Sequence, residues 1–193
     1  MSHHTNERLL KWYDFNELPL GVTYNIAFPP SPASQNVISV IVMEQIKSDD
    51  RINLEASIQW TVTLTGTTTS EPGPVFQILA FQQATFQIWR DSIGGLGTLV
   101  CQYSDTGAFG TSGLIPGPST TVTVVAPSTF TTNITCTDYN VPKGTHSYFL
   151  TVTIPSVNAS VATGGASIEN LTARALSPTV TGWSFEGYVI DNN

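Results

Sequence analysis

From Ile52 to Leu64 apolar and polar residues alternate without a break. Ile52, Leu54, Ala56, Ile58, Trp60, Val62 and Leu64 fall on one side, and Asn53, Glu55, Ser57, Gln59, Thr61 and Thr63 on the other. A period of two gathers the seven apolar side chains on one face of an extended strand, which no helix could do. The pattern predicts a long strand with one face in a core and one in water. Val22, Tyr24, Ile26 and Phe28 alternate in the same way ahead of the break Pro29-Pro30-Ser31-Pro32. Residues 37–46 (VISVIVMEQI) read as a more fully buried strand. Further strands are predicted over 75–81, 84–90, 98–103, 121–125, 130–136, 148–154 and 181–190, and over 166–176 with a bulge near Glu169 and Asn170.

Clusters of Gly, Pro, Asp and Ser separate these runs, at 65–74, 91–97, 104–119, 140–144 and 163–165. No interval between strands could supply crossover helices, so a parallel α/β fold is excluded. The expectation is an all-β fold, a single jelly-roll-type sandwich of about 8–10 antiparallel strands over residues 21–193, with residues 1–20 as an N-terminal arm. Two readings of that arm are open. It is either a short helix capped by Thr5 or Asn6 and stopped before Pro19, or an extended segment that reaches a neighbouring subunit. Leu9, Leu10, Trp12 and Phe15 are costly to leave in water and must dock somewhere.

Composition changes the picture of the surface. Charged residues make up 11% of the 193, less than half the usual share, and 27 threonines take their place. Threonine is β-branched and suits the solvated face of a strand, and an uncharged face is also easier to bury against a neighbour. The net charge is −7 and the seven Lys and Arg are scattered, which argues against nucleic acid and against a polybasic membrane surface as partners. The apolar runs are far too short to span a bilayer, and the first residues lack the apolar core of a signal peptide.

Candidate chemistry is sparse. His3, His4 and His146 are the only histidines, and His146 is expected in a solvent-exposed turn, with no nucleophile elbow to accompany it. The Asp49-Asp50 pair is expected to form the turn before the long strand, although a calcium-binding loop is the competing reading. Gly94, Gly95 and Gly97 open no helix and read as a turn, not a phosphate cradle. No catalytic, metal or cofactor site is therefore expected, and the chain is not expected to be an enzyme. Cys101 and Cys136 fall in predicted strands. They read either as two small buried side chains or as a single bridge, within the chain or to another subunit.

Residues 84–176 carry a resemblance. A strand ends in Trp89-Arg90, a Gly-rich turn and a Thr-rich stretch follow, then Phe130 to Cys136 with Asp138 behind it, a Gly turn, Tyr148 to Ile154, and Ala166 to Leu176. That order is similar to the jelly-roll spore-surface proteins of endospore-forming Firmicutes, the exosporium and endospore-appendage subunits. The resemblance implies a self-assembling structural subunit of an extracellular fibre or a spore surface layer, with copies of itself as partners. It also implies deposition at a cell or spore surface without a classical signal peptide. Subunits of this kind have a Cys-rich N-terminal connector, whereas residues 1–35 here contain no Cys. Joining by strand donation is then the expected mechanism, with Leu9, Leu10, Trp12, Phe15, Val22, Tyr24, Ile26 and Phe28 as the contacting residues. The competing readings are a trimeric recognition head of the tumour-necrosis-factor or complement-globular type, binding carbohydrate or protein, and a viral or phage capsid-type jelly roll.

Overall fold

The computed structural model of the chain describes residues 10–19, 22, 24–31, 33–70, 75–114, 120–154, 162–163 and 171–190. Among them the strands are β1 (Leu10–Glu17), β2 (Ile26–Ala27), β3 (Asn36–Ile46), β4 (Arg51–Ser70), β5 (Val75–Arg90), β6 (Thr98–Leu114), β7 (Thr120–Asp138), β8 (Gly144–Thr153), β9 (Ala162–Thr163) and β10 (Leu171–Ile190). One 3₁₀ turn, Gly94–Leu96, joins β5 to β6. No helix among the described residues is long and apolar enough to cross a membrane.

The long strands pair in a nested order. β5 pairs with β6, β4 with β7, β3 with β8 and β1 with β10, all antiparallel, like the two arms of one extended hairpin. Further pairing of β10 with β4, and of β5 with β8, wraps that hairpin into two sheets. The first sheet runs β1-β10-β4-β7 with β2 also on β10, and the second runs β3-β8-β5-β6 with β9 also on β5. This wrapping is the jelly roll, two antiparallel sheets packed as a sandwich.

The alternation over 52–64 works as its period demands. Ile52, Leu54, Ile58, Trp60 and Val62 are fully buried between the sheets. Phe86 and Ile88 of β5 meet them from the other side, with Leu150 and Val152 of β8. Trp60 is the centre of an aromatic group, with ring centroids 4.7 Å from Phe130, 5.8 Å from Phe28 and 6.4 Å from Phe86. Such offset and edge-on contacts add to the free energy of burying the rings.

Several boundaries differ from the sequence expectation. Residues 75–81 and 84–90 are one strand, because β6 pairs with β5 residue by residue through Gln82 and Gln83. β6 continues to Leu114 through a Gly- and Ser-rich stretch expected to be a turn. β7 passes through Pro127, which is tolerated because β7 is the border strand of its sheet and one side of it has no ladder to supply. Residues 10–17 are not helical: they form β1 at the border of the first sheet, paired in this chain with 184–190 of β10. The physical reason is the alternation of Trp12, Asp14 and Asn16 with Tyr13, Phe15 and Glu17 beside a strand whose backbone groups need partners. The sandwich therefore begins before residue 21. The bulge expected at Glu169 and Asn170 lies outside the described residues; β10 instead shifts register between Ala173 and Ala175 and between Val180 and Gly182.

Both long sides of the sandwich are closed by side chains. On one side the Asp14 carboxylate of β1 accepts the Val42 N–H of β3 at 2.7 Å. On the other, β6 and β7 face each other in steps of two residues. Cys101 is bonded to Cys136, Asp105 accepts the Thr132 hydroxyl at 2.6 Å, and Gly107 lies against the Phe130 ring.

Candidate functional site

The inward positions of β10 and β4, Phe185, Gly187, Leu54 and Ala56, fix what points outward between them. Glu186 and Glu55 are directly opposite each other on the solvent face, as are Tyr188 and Asn53. β1 extends the same row, with Phe15 opposite Glu186 and Tyr13 opposite Tyr188. The Tyr13 and Phe15 rings stack at 5.7 Å with 27° between their planes, and they are 47% and 56% exposed. The Tyr13 hydroxyl donates to Glu186 at 2.7 Å and the Tyr188 hydroxyl to Glu55 at 3.0 Å. Asn53 donates to the Tyr188 oxygen at 3.3 Å and accepts from Thr137 of β7 at 2.7 Å. Two hydrogen-bonded groups, Tyr13–Glu186 and Glu55–Tyr188–Asn53–Thr137, thus lie side by side across the outer face of the first sheet. The electrostatics of this face show at Tyr13, whose hydroxyl is held above the usual tyrosine range by the bond to Glu186, then by partial desolvation and the charges of Glu186, Glu17 and Asp14.

The residues expected to contact a neighbour are divided. Leu9 lies outside the described residues. Leu10, Trp12 and Phe15 are in β1; Trp12 packs against the core and its Nε1 is buried without a hydrogen-bond partner. Val22 and Tyr24 are exposed, and Tyr24 meets Trp183 edge-on at 5.8 Å. Ile26 pairs with Val180, and Phe28 is a core residue of the same chain. Tyr13, Glu55, Glu186 and Tyr188 were not singled out from sequence; the usable signal was the Glu-x-Tyr spacing on an outward parity.

A second polar group seals the end of the sandwich where β5 stops and β8 starts. Asp138 accepts from Arg90 Nη1 at 2.7 Å and from the Tyr148 hydroxyl at 2.8 Å, and all three residues are buried. Burial and the nearby Asp138 charge push the Tyr148 hydroxyl far above the usual tyrosine range. His146 is buried, contrary to the exposed turn histidine expected. Its Nδ1 faces the Asp91 carboxylate at 2.9 and 3.0 Å and its Nε2 faces the Pro142 carbonyl at 2.7 Å. Asp91 reaches it from a left-handed backbone conformation, φ 66°. With both ring nitrogens facing acceptors, His146 ties the 139–143 loop to the end of β5. The Asp50 carboxylate accepts the Lys47 N–H at 2.8 Å and closes the turn ahead of β4. Among the described residues no group of three or more His, Cys, Asp or Glu is placed to hold a metal ion.

No protein-family model matches the chain, and no curated protein matches it. Two solved structures to which it is similar are of infectious bursal disease virus. The Gt strain chain is 13% identical, with 95% of this chain and 43% of that chain covered and a TM-score of 0.19. The Gx strain chain is 15% identical, with 94% and 40% covered and a TM-score of 0.17. The chain thus spans less than half the length of either of these two chains.

Proposed function

We propose that this jelly roll is a structural subunit that builds an assembly from copies of itself by exchanging β1. The observation that carries the reading is how β1 is held. Tyr13, Phe15, Asn16 and Glu17 are exposed, so the strand buries little apolar surface. Its attachment is the backbone ladder to β10, the bonds of Tyr13 to Glu186, Asn16 to Trp183 and Asp14 to Val42, and the packing of Trp12, whose indole N–H has no partner. Each of those bonds can form equally well with the β10 and β3 of a second copy. Exchange of an identical element is a low-cost route to association, and a head-to-tail exchange that does not close grows a chain.

Phe15 and Glu186 are directly opposite each other, a separation that suits a disulfide. The double variant Phe15→Cys/Glu186→Cys, oxidised after assembly and run on a non-reducing gel, reports which pairing exists in solution. Exchange gives a ladder of covalent multimers. A single monomer band with the new bond inside one chain overturns the reading.

A further inference from the structure

We propose that the outward row of the first sheet is a glycan-binding face, with Phe15 and Tyr13 as the stacking platform and Glu55 and Glu186 as the hydroxyl acceptors. Folding does not explain the pair of carboxylates on this face. Glu55 and Glu186 are direct cross-strand neighbours on the solvent face. Like charges in that relation repel, and a threonine at either site would suit the strand better. Each carboxylate takes one tyrosine hydroxyl, Glu186 from Tyr13 and Glu55 from Tyr188. An ionised carboxylate has about four acceptor positions and no donor, so each still has acceptor capacity towards solvent. An occupant that relieves the pair must therefore supply several donors at close spacing.

The neighbouring positions narrow the occupant further. Tyr13 and Phe15 present half-exposed aromatic rings beside the carboxylates, apolar surface next to a line of acceptors. A pyranose ring has the complementary build, a C–H face that lies on an aromatic ring and an edge of hydroxyl donors. Asn53 and Thr137 continue the row with amide and hydroxyl groups already oriented by their mutual bond. Four strands about 4.8 Å apart make the row about 14 Å long, room for a short run of sugar rings.

Charge selects within the class. Glu17, Glu55 and Glu186 all stand on this face, and Arg51, the cation described there, has its guanidinium over the Tyr139 ring at 5.8 Å. The face therefore suits a neutral or amino-sugar glycan and repels sulfated or uronate chains. The inference is independent of strand exchange, because pairing within a chain or between chains places a Phe15 beside a Glu186 in either case.

The test is native affinity electrophoresis of the purified chain through gels cast with hydroxyethyl cellulose, glycol chitosan or dextran sulfate. Retardation by one or both of the first two, and none by dextran sulfate, is expected. Phe15→Ala and Glu55→Gln, both on the surface, should keep the wild-type thermal melt and each weaken binding about tenfold. Tyr13→Ala is the further variant if either one melts early. No retardation by either glycan overturns the proposal, as does equal retardation of all the variants. Loss of binding in EDTA overturns it in favour of a bridging cation. Self-association without glycan that Phe15→Ala abolishes overturns it in favour of a second copy on this face.

Discussion

Thr132→Val tests whether the inner side of β7 is held by hydrogen bonds as well as by apolar contact. Thr132 is 2% exposed and Trp60 is fully buried. The Thr132 hydroxyl accepts the Trp60 indole N–H at 3.0 Å and donates to the Asp105 carboxylate at 2.6 Å, so one oxygen links the core tryptophan to the β6 border. Valine keeps the volume and branching and removes only that oxygen. The indole N–H is left buried without a partner, which costs about 1–3 kcal/mol. Asp105 loses the Thr132 hydroxyl but is only part-buried, can take up water, and keeps the Thr106 N–H at 2.7 Å. A net loss of about 2–3 kcal/mol is expected, which for a domain of this size is a fall in Tm of about 4–12 °C. Urea denaturation should show a lower midpoint with an unchanged slope. In a Trp60→Phe background the same substitution should cost about 1–2 kcal/mol less, because no N–H remains to be orphaned. A loss within 0.5 kcal/mol, or an equal loss in both backgrounds, would refute the linkage.

The remaining predictions concern the other side chains that close the sandwich. A Cβ on Gly107 would come within 2.5, 2.7 and 2.8 Å of Phe130 ring carbons, so Gly107→Ala should destabilise by about 1–3 kcal/mol, with Phe130→Leu restoring part of it in the double variant. Tyr148 should make stability fall in alkali. Its folded-state pKa is raised above the unfolded value of about 10, so its contribution is intact below that pH and declines above it by about 1.4 kcal/mol per pH unit. Unfolding free energies at pH 9 and 11 should differ less in Tyr148→Phe than in the wild type; identical slopes would sink the assignment.

What could be read from the sequence followed from side-chain parity. The strand over 52–64 and the cores of β3, β8 and β10 announce themselves, because alternation is a local property of a half-buried sheet. Strand order is not local, and neither is the fusion of 75–81 with 84–90, which depends on β6 running alongside. β1 was ambiguous because eight residues with three aromatics suit an amphipathic helix or a border strand equally, and only the open edge of β10 decides. Asp138 reads as a loop residue and Arg90 as the last residue of a strand, yet parity would have found both as residues that seal the sandwich. Asp138 falls in step with Thr132, Ile134 and Cys136, and Arg90 with Phe86 and Ile88. A charged residue at the end of an inward series is a candidate for closing the core with a partner from the facing sheet, and its own strand cannot reveal which residue that partner is.

The placement of the few charges bears on both proposals. Asp14, Arg90, Asp105 and Asp138 each bond to a group on another strand and close a border of the fold. Asp50 and Asp91 fix a turn and a loop. Each of these six is accounted for by the architecture, since an unmade bond at a buried border costs more than a made bond gains. Glu55 and Glu186 serve no border: they stand in the middle of a solvated face, opposite each other. Strand pairing alone would disfavour that arrangement. The two tyrosines that donate to them reduce the repulsion without removing it, because a hydrogen-bonded carboxylate retains its charge. If exchange of β1 were the whole function of this region, Phe15 and the Glu186 carboxylate would add little to it, for the ladder is made by the backbone. A donor-rich ligand with a flat apolar face gives both a role, and it does so at the strand whose exchange would array many copies of the site along one assembly, where weak individual contacts add as avidity.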